Sequence, residues 1–195
     1  MRLRTERLLL RPFAPRDFDA MLAMQSDAGV VRYLYWDART ADEIRPVLER
    51  KSRFTALERP GDNLAFAVVL EATGEVVGDC GLQWHDNDYR QGEVGFIVHP
   101  DHQGQGYATE AARAVLRIGF EEVRLHRIVG RTEARNVASA RVLERLGMRR
   151  EAHLIENEYV KGEWQSELVY ALLDREWAAT TGAAGAAART TTPPV

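Results

Sequence analysis

Between Leu64 and Phe120 the hydrophobic period of this chain changes once, and the change falls on a pair of glycines. Upstream lie three strand-like runs, Leu64 to Glu71, Val76 to Trp84 and Glu93 to Val98, separated by Thr73-Gly74 and by the polar segment Asp86 to Gln91. Connections this short join antiparallel neighbours, so the runs predict a meander. Downstream, Ala108, Ala111, Ala112, Val115, Gly119 and Phe120 recur at helical spacing and give one apolar face. The segment Val98 to Glu110 is therefore strand, turn and helix, with Gly104 and Gly106 in the turn. Amides at a helix start lack internal partners and sit at the positive end of its dipole. Glycine lets such a backbone bend and approach a phosphate closely. A P-loop would need Lys-Ser or Lys-Thr after the glycines, and a dinucleotide fingerprint a third glycine within a βαβ unit; the chain has neither. On spacing alone, a tight turn without a ligand stays open.

The flanking sequence completes a mixed α/β (α+β) domain. Leu8 to Arg11 reads as a strand, and Pro15 suits the first turn of a helix running to about Gln25. Thr40 to Glu43 has capping-box spacing and opens a helix towards Leu57, with Pro46 early in it. Arg127 to Thr132 is a further strand, followed by a helix from Val137 to Leu146 that Gly147 terminates. Ala152 to Val160 and Trp164 to Leu173 flank Lys161-Gly162 as a hairpin. The expected order is β-α-α-β-β-β-α-β-α-β-β, about seven strands and four helices around a mixed, bent central sheet. Residues 1–177 form one domain on this reading. Residues 178–195, AATTGAAGAAARTTTPPV, lack large apolar side chains and are expected to be a disordered tail.

Composition narrows the partners. A formal charge of -3 disfavours binding nucleic acid through broad phosphate neutralisation. No apolar stretch approaches the roughly 20 residues of a membrane span. The apolar run near the N-terminus is too short for a secretion signal, and the single cysteine, Cys80, cannot form an internal disulfide. The expectation is a cytoplasmic protein with no membrane or nucleic-acid partner, a monomer or a homodimer.

Four segments carry a family resemblance. GQGYATEA at Gly104 to Ala111, following a strand and His99-Pro100, resembles the acetyl-CoA pyrophosphate loop of the GNAT acetyltransferases. TERLLLRPF at Thr5 to Phe13 is similar to the opening strand of that family's ribosomal-protein N-terminal acetyltransferase branch. NVASARVLERLGM at Asn136 to Met148 resembles its late cofactor-side helix, and NEYVKGEW at Asn157 to Trp164 its final hairpin. Two positions depart from the wider pattern: Asp101 stands where Gln or Arg is common, and Leu143 where many members have a tyrosine.

The resemblance implies the GNAT fold and transfer of acetyl from acetyl-CoA to an amine, either a peptide N-terminus or a small molecule. In that family the strand before the loop splays from its parallel neighbour, and the pantetheine arm fills the gap. This maps the cofactor edge to Phe96, Ile97 and Val98, facing Arg127 to Thr132. It maps the pyrophosphate to Gln103, Gly104, Gln105, Gly106, Tyr107, Ala108 and Thr109. Asn136 and Ser139 would meet the pantetheine arm and the sulfur, with Ser139 donating to the leaving thiolate. A plain cap for Asn136 and a backbone hydrogen bond for Ser139 are the alternatives. Glu158 matches a carboxylate of the branch and is the first candidate for the proton acceptor; Glu93, beside the acetyl-bearing strand, is the second. An ordinary carboxylate is a weak base unless burial raises its proton affinity.

Tyr33, Tyr35 and Trp36 form an aromatic group that either borders the acceptor pocket or packs on the sheet, and Trp84 and Trp164 carry the same ambiguity. His99 and His102 lack a matching ligand constellation, so no metal is expected. Cys80 reads as a buried strand residue, and Arg124 to Arg135 as a solvated strand face. Two other classes are an acyl-CoA-binding sensor without catalysis and a magnesium-dependent nucleotide enzyme using the glycine turn.

Overall fold

A computed structural model describes residues 1–85 and 89–180. Eight strands form one sheet in the order β1-β2-β3-β4-β5-β6-β8-β7. They are β1 Leu3–Arg4, β2 Leu8–Arg11, β3 Asn63–Leu70, β4 Val76–Trp84, β5 Gln91–Val98, β6 Arg127–Glu133, β7 Arg149–Val160 and β8 Glu163–Leu173. The helices are α1 Phe18–Ser26, α2 Ala28–Val31, α3 Ala41–Ser52, α4 Tyr107–Arg117 and α5 Val137–Arg145, with a last helix, α6, over 174–180. Pairing is antiparallel throughout except between β5 and β6.

The expected order holds, with β1, the single-turn α2 and α6 added. All three are too short to show a period. The second long helix stops at Ser52, not Leu57, because the chain turns to bridge Thr55 to Leu64. Its capping box forms as expected, the Thr40 amide donating to Glu43 Oε2 at 2.8 Å. Lys161 and Gly162 both take positive φ, 52° and 83°, the conformation a two-residue hairpin requires. Residues 178–180, assigned to the tail by composition, continue α6, whereas 181–195 lie outside the described residues, as do 86–88 of the polar turn.

Alternation along β3 explains the layers. Leu64, Phe66 and Val68 point to one face and pack with Ala111, Ala112 and Val115 of α4. Ala65 and Ala67 point to the other and meet Met21 of α1 and Ile44 and Leu48 of α3. A strand apolar on both sides is what a sheet covered on both faces needs.

Candidate active site

The parallel contact between β5 and β6 is brief. It comprises Gln91–Arg127, Gly92–Ile128 and Glu93–Val129, and then stops. β5 nevertheless continues to Val98 on the support of β4, and β6 continues to Glu133 on the support of β8. Val94–Val98 and Gly130–Glu133 thus face each other as two inner edges without a ladder between them. A strand edge of this kind offers alternating N–H and C=O groups to an extended guest.

A cleft of about 350 Å³ opens at the split. It gathers six of the residues assigned to donor binding or catalysis from the sequence: Glu93, Phe96, Ile97, Asn136, Ser139 and Glu158. Asn136 caps α5, its Oδ1 accepting from the Ser139 amide at 3.1 Å. The Ser139 hydroxyl, by contrast, makes no hydrogen bond among the described residues, so the alternative of a backbone bond is not realised. Leu143, on the same helix, is buried against Gly130, where an added Cβ would lie 2.4 Å from Leu143 Cδ2. The helix is therefore seated on the strand by a missing side chain.

Val98 and the turn from Gln103 to Thr109 lie at the end of β5, outside the lining of this cleft. Gly104 and Gly106 have φ of 76° and 84°, which disfavour any residue with a Cβ. No atom comes within 4 Å of a Cβ built on Gly104, so glycine is required there for its backbone angle and leaves open space beside it. The amides of residues 104–109 have no acceptor among the described residues, and the Thr109 hydroxyl is buried without a partner. Asp101 leaves the turn for solvent, with Oδ2 3.8 Å from His99 Nδ1.

The opposite wall is made of side chains. Arg131 of β6 places Nη1 2.9 Å from Glu167 Oε2 and Nε 3.3 Å from Glu93 Oε2. The Tyr35 hydroxyl, from the loop between α2 and α3, reaches Glu167 Oε1 at 3.3 Å. Burial raises the proton affinity of Glu93, Arg131 partly opposes this, and the charges of Glu167 and Glu158 add to it. Burial, with Glu158 and Glu167 nearby, likewise pushes the Tyr35 phenol up. His85 Nε2 lies 3.8 Å from Glu93, and burial and Arg131 lower its proton affinity. Asp79 and Lys51 form an ion pair at the cleft's edge.

A family model described as an acetyltransferase (GNAT) domain matches residues 7–149. The chain belongs to this family. It is 32% identical over 178 residues to the uncharacterized N-acetyltransferase YnaD of Bacillus subtilis, covering 91% of this chain and 99% of that one. A GNAT-family acetyltransferase from Bacillus anthracis superposes with a TM-score of 0.81 at 31% identity, over 90% of this chain and 100% of that structure. The spermidine N(1)-acetyltransferase of Escherichia coli is 24% identical over 170 residues, 87% of this chain and 88% of its own length.

This acetyltransferase belongs to a family that draws on acetyl-CoA, and its residues fit that donor. The ladder-free edges can pair with amides, while the unpartnered amides of the turn and the orphaned Thr109 hydroxyl can hold phosphate oxygens. Among the described residues, no group of three or more His, Cys, Asp or Glu side chains is placed to hold a metal ion. No described helix is long and apolar enough to cross a membrane.

Sequence reasoning missed Glu167 and Arg131. Glu167 shares the inward register of Val169, Ala171 and Leu173 on β8 and is only 4% exposed. A carboxylate on a buried register was the available signal. On the expected solvated face at Arg124 to Arg135, Arg124, Arg131 and Arg135 are exposed, and Arg127, Arg131 and Arg135 also pair with glutamates. Tyr33, Tyr35 and Trp36 all line the cleft, whereas Trp84 packs against the core and the exposed Trp164 meets Tyr159 edge-on. Cys80 is fully buried, and burial pushes its thiol well up, so it is not a nucleophile.

Proposed function

We propose that this protein transfers acetyl from acetyl-CoA to a primary amine, a peptide N-terminus or a small molecule, by direct attack with both substrates bound. The observation that carries the reading is the split between β5 and β6. It has an anion-binding turn at the end of one strand and a carboxylate-lined wall across from it. Phe96, Ile97 and Val98 offer the edge for the donor's amides. Gln103 to Thr109 hold its diphosphate. Asn136 and Ser139 stand at the start of α5, where the unengaged Ser139 hydroxyl is available to a departing thiolate.

An amine attacks only when neutral, so the site must take a proton from it. Glu93 is the better placed of the two candidate acceptors, because burial and like-charged neighbours raise its proton affinity towards that of a useful base. Glu158 lines the same cleft and serves as an ammonium contact. Direct attack needs no acyl-enzyme, consistent with the sealed Cys80. The name of the Escherichia coli relative, a spermidine acetyltransferase, supports an amine acceptor. A lone buried cysteine suits a reducing compartment such as the cytoplasm.

The test is calorimetric binding of acetyl-CoA to the wild type and to Gly104→Glu. The variant adds a carboxylate beside the phosphate site and strains a left-handed residue. It should bind roughly 100-fold more weakly or not at all, a loss of about 2.7 kcal/mol. Assays with peptide and small amines then follow transfer. Tight wild-type binding without transfer to any amine would favour an acyl-CoA sensor; no wild-type binding would remove the donor from the account.

A further inference from the structure

The opening segment Thr5 to Phe13 resembles a family signature, yet Thr5 and Arg7 do not line the cleft between β5 and β6. They grip the glycine turn from behind. Thr5 Oγ1 donates to Glu110 Oε1 at 2.6 Å, and the Arg7 amide donates to the same oxygen at 2.8 Å. Arg7 Nε donates to Glu110 Oε2 at 2.8 Å, and Nη2 lies 2.7 Å from it. The remaining arm, Nη1, donates to the Gln105 carbonyl at 3.0 Å. The guanidinium also lies 4.7 Å from the centre of the Tyr107 ring.

Two consequences follow from elementary geometry and charge. In a trans peptide the carbonyl and the following N–H point in opposite directions. Tying the Gln105 carbonyl to Arg7 therefore aims the Gly106 amide the other way, and that amide has no acceptor among the described residues. Glu110, meanwhile, stands in the first turn of α4, where a free carboxylate would repel an anion bound to the same turn. Burial acts to raise its proton affinity, but the hydrogen bonds from Thr5 and Arg7 outweigh this and hold it ionised and matched to a cation.

We propose that Arg7 is a positioning residue for the donor's diphosphate: it aims the Gly106 amide through Gln105 and neutralises the carboxylate that would otherwise oppose the anion. The inference rests on the reading of the turn as the diphosphate site. The opening strand then sets donor affinity from the side away from the chemistry, without touching the reacting atoms.

The experiment is calorimetric binding of CoA to the wild type, Arg7→Ala and Arg7→Lys, with thermal unfolding of each. Arg7→Ala should weaken CoA by about ten-fold or more, as expected for loss of a charge-assisted, forked contact. Arg7→Lys keeps a cation opposite Glu110 but lacks the fork that also reaches Gln105, so it should fold and still bind CoA several-fold more weakly. In steady state, KM for acetyl-CoA should rise in the lysine variant while kcat and the acceptor KM stay unchanged, a split that general loosening of the fold would not give. A folded Arg7→Lys that binds CoA as tightly as the wild type overturns the proposal. Failure of the wild type to bind CoA overturns both it and the reading on which it rests.

Discussion

The two sides of the cleft are made of different material. Towards the glycine turn, the groups on offer are almost all main chain: the inner edges of β5 and β6, and the amides of residues 104–109. Across from them, Glu93, Arg131, Glu158, Glu167 and Tyr35 are brought together as side chains from β5, β6, β7, β8 and the loop after α2. Main-chain groups look alike in every sequence that folds this way, so the first side can hold the same donor in many proteins. Side chains can be exchanged one at a time, so on the proposed reading the second side would be where the acceptor is chosen. The difference separates a shared half of the reaction from a variable one.

That separation can be broken or sharpened by substitution. Glu93→Gln should lower kcat/KM by about 10² to 10⁴-fold, the usual range for a lost general base, while calorimetric affinity for acetyl-CoA stays at the wild-type value. A parallel loss of donor affinity would break the division. Asn136→Ala tests a side chain on the donor side. Loss of its cap on α5 should cost about 1 kcal/mol of stability, read as a fall of about 2–4 °C in melting temperature. If donor affinity instead collapses while stability holds, the donor side is less a matter of main chain than the contacts show.

The smallest effect concerns pH. Glu93 holds its proton above the ordinary carboxylate range, chiefly through burial and in part through the charge of Glu167. The basic form is therefore lost as pH falls through that raised value. Glu167→Gln removes one repelling charge, lets ionised Glu93 persist to lower pH, and should move the acid limb of the kcat/KM profile downward. An unmoved limb would detach Glu93 from the Arg131–Glu167 pair, or from the proton transfer itself.

How much of this was legible in the sequence follows from the same contrast. The turn could be read because its chemistry is conformational: glycines at 104 and 106 mark positive φ, and the helical period starts immediately after them. The β5–β6 split was expected only from family likeness. Val94 to Val98 is an apolar run broken only by Gly95, and nothing in it says that pairing with β6 ends at Glu93. On the wall across from the turn, Glu93 and Glu158 stand out through the resemblance, while Arg131 reads as part of a solvated strand face and Glu167 carries no reading of its own. Their significance arises from pairing between β6 and β8, 36 residues apart in the chain, and no local pattern encodes such a meeting. Arg7 escaped for the same reason, since its partner Glu110 lies 103 residues away.

The short parallel contact also governs the mechanics of the sheet. Five strands stand on one side and three on the other, and the hydrogen-bonded seam joining them is three residue pairs long. Beyond those pairs the halves are held by helices and core packing, as two covers are held by a spine. A guest that pairs with both inner edges would lengthen the seam while it stays and give the length back on leaving. On the proposed reading, the donor would be a temporary strand of the fold as well as a reactant, and each catalytic cycle would open and close the middle of the sheet.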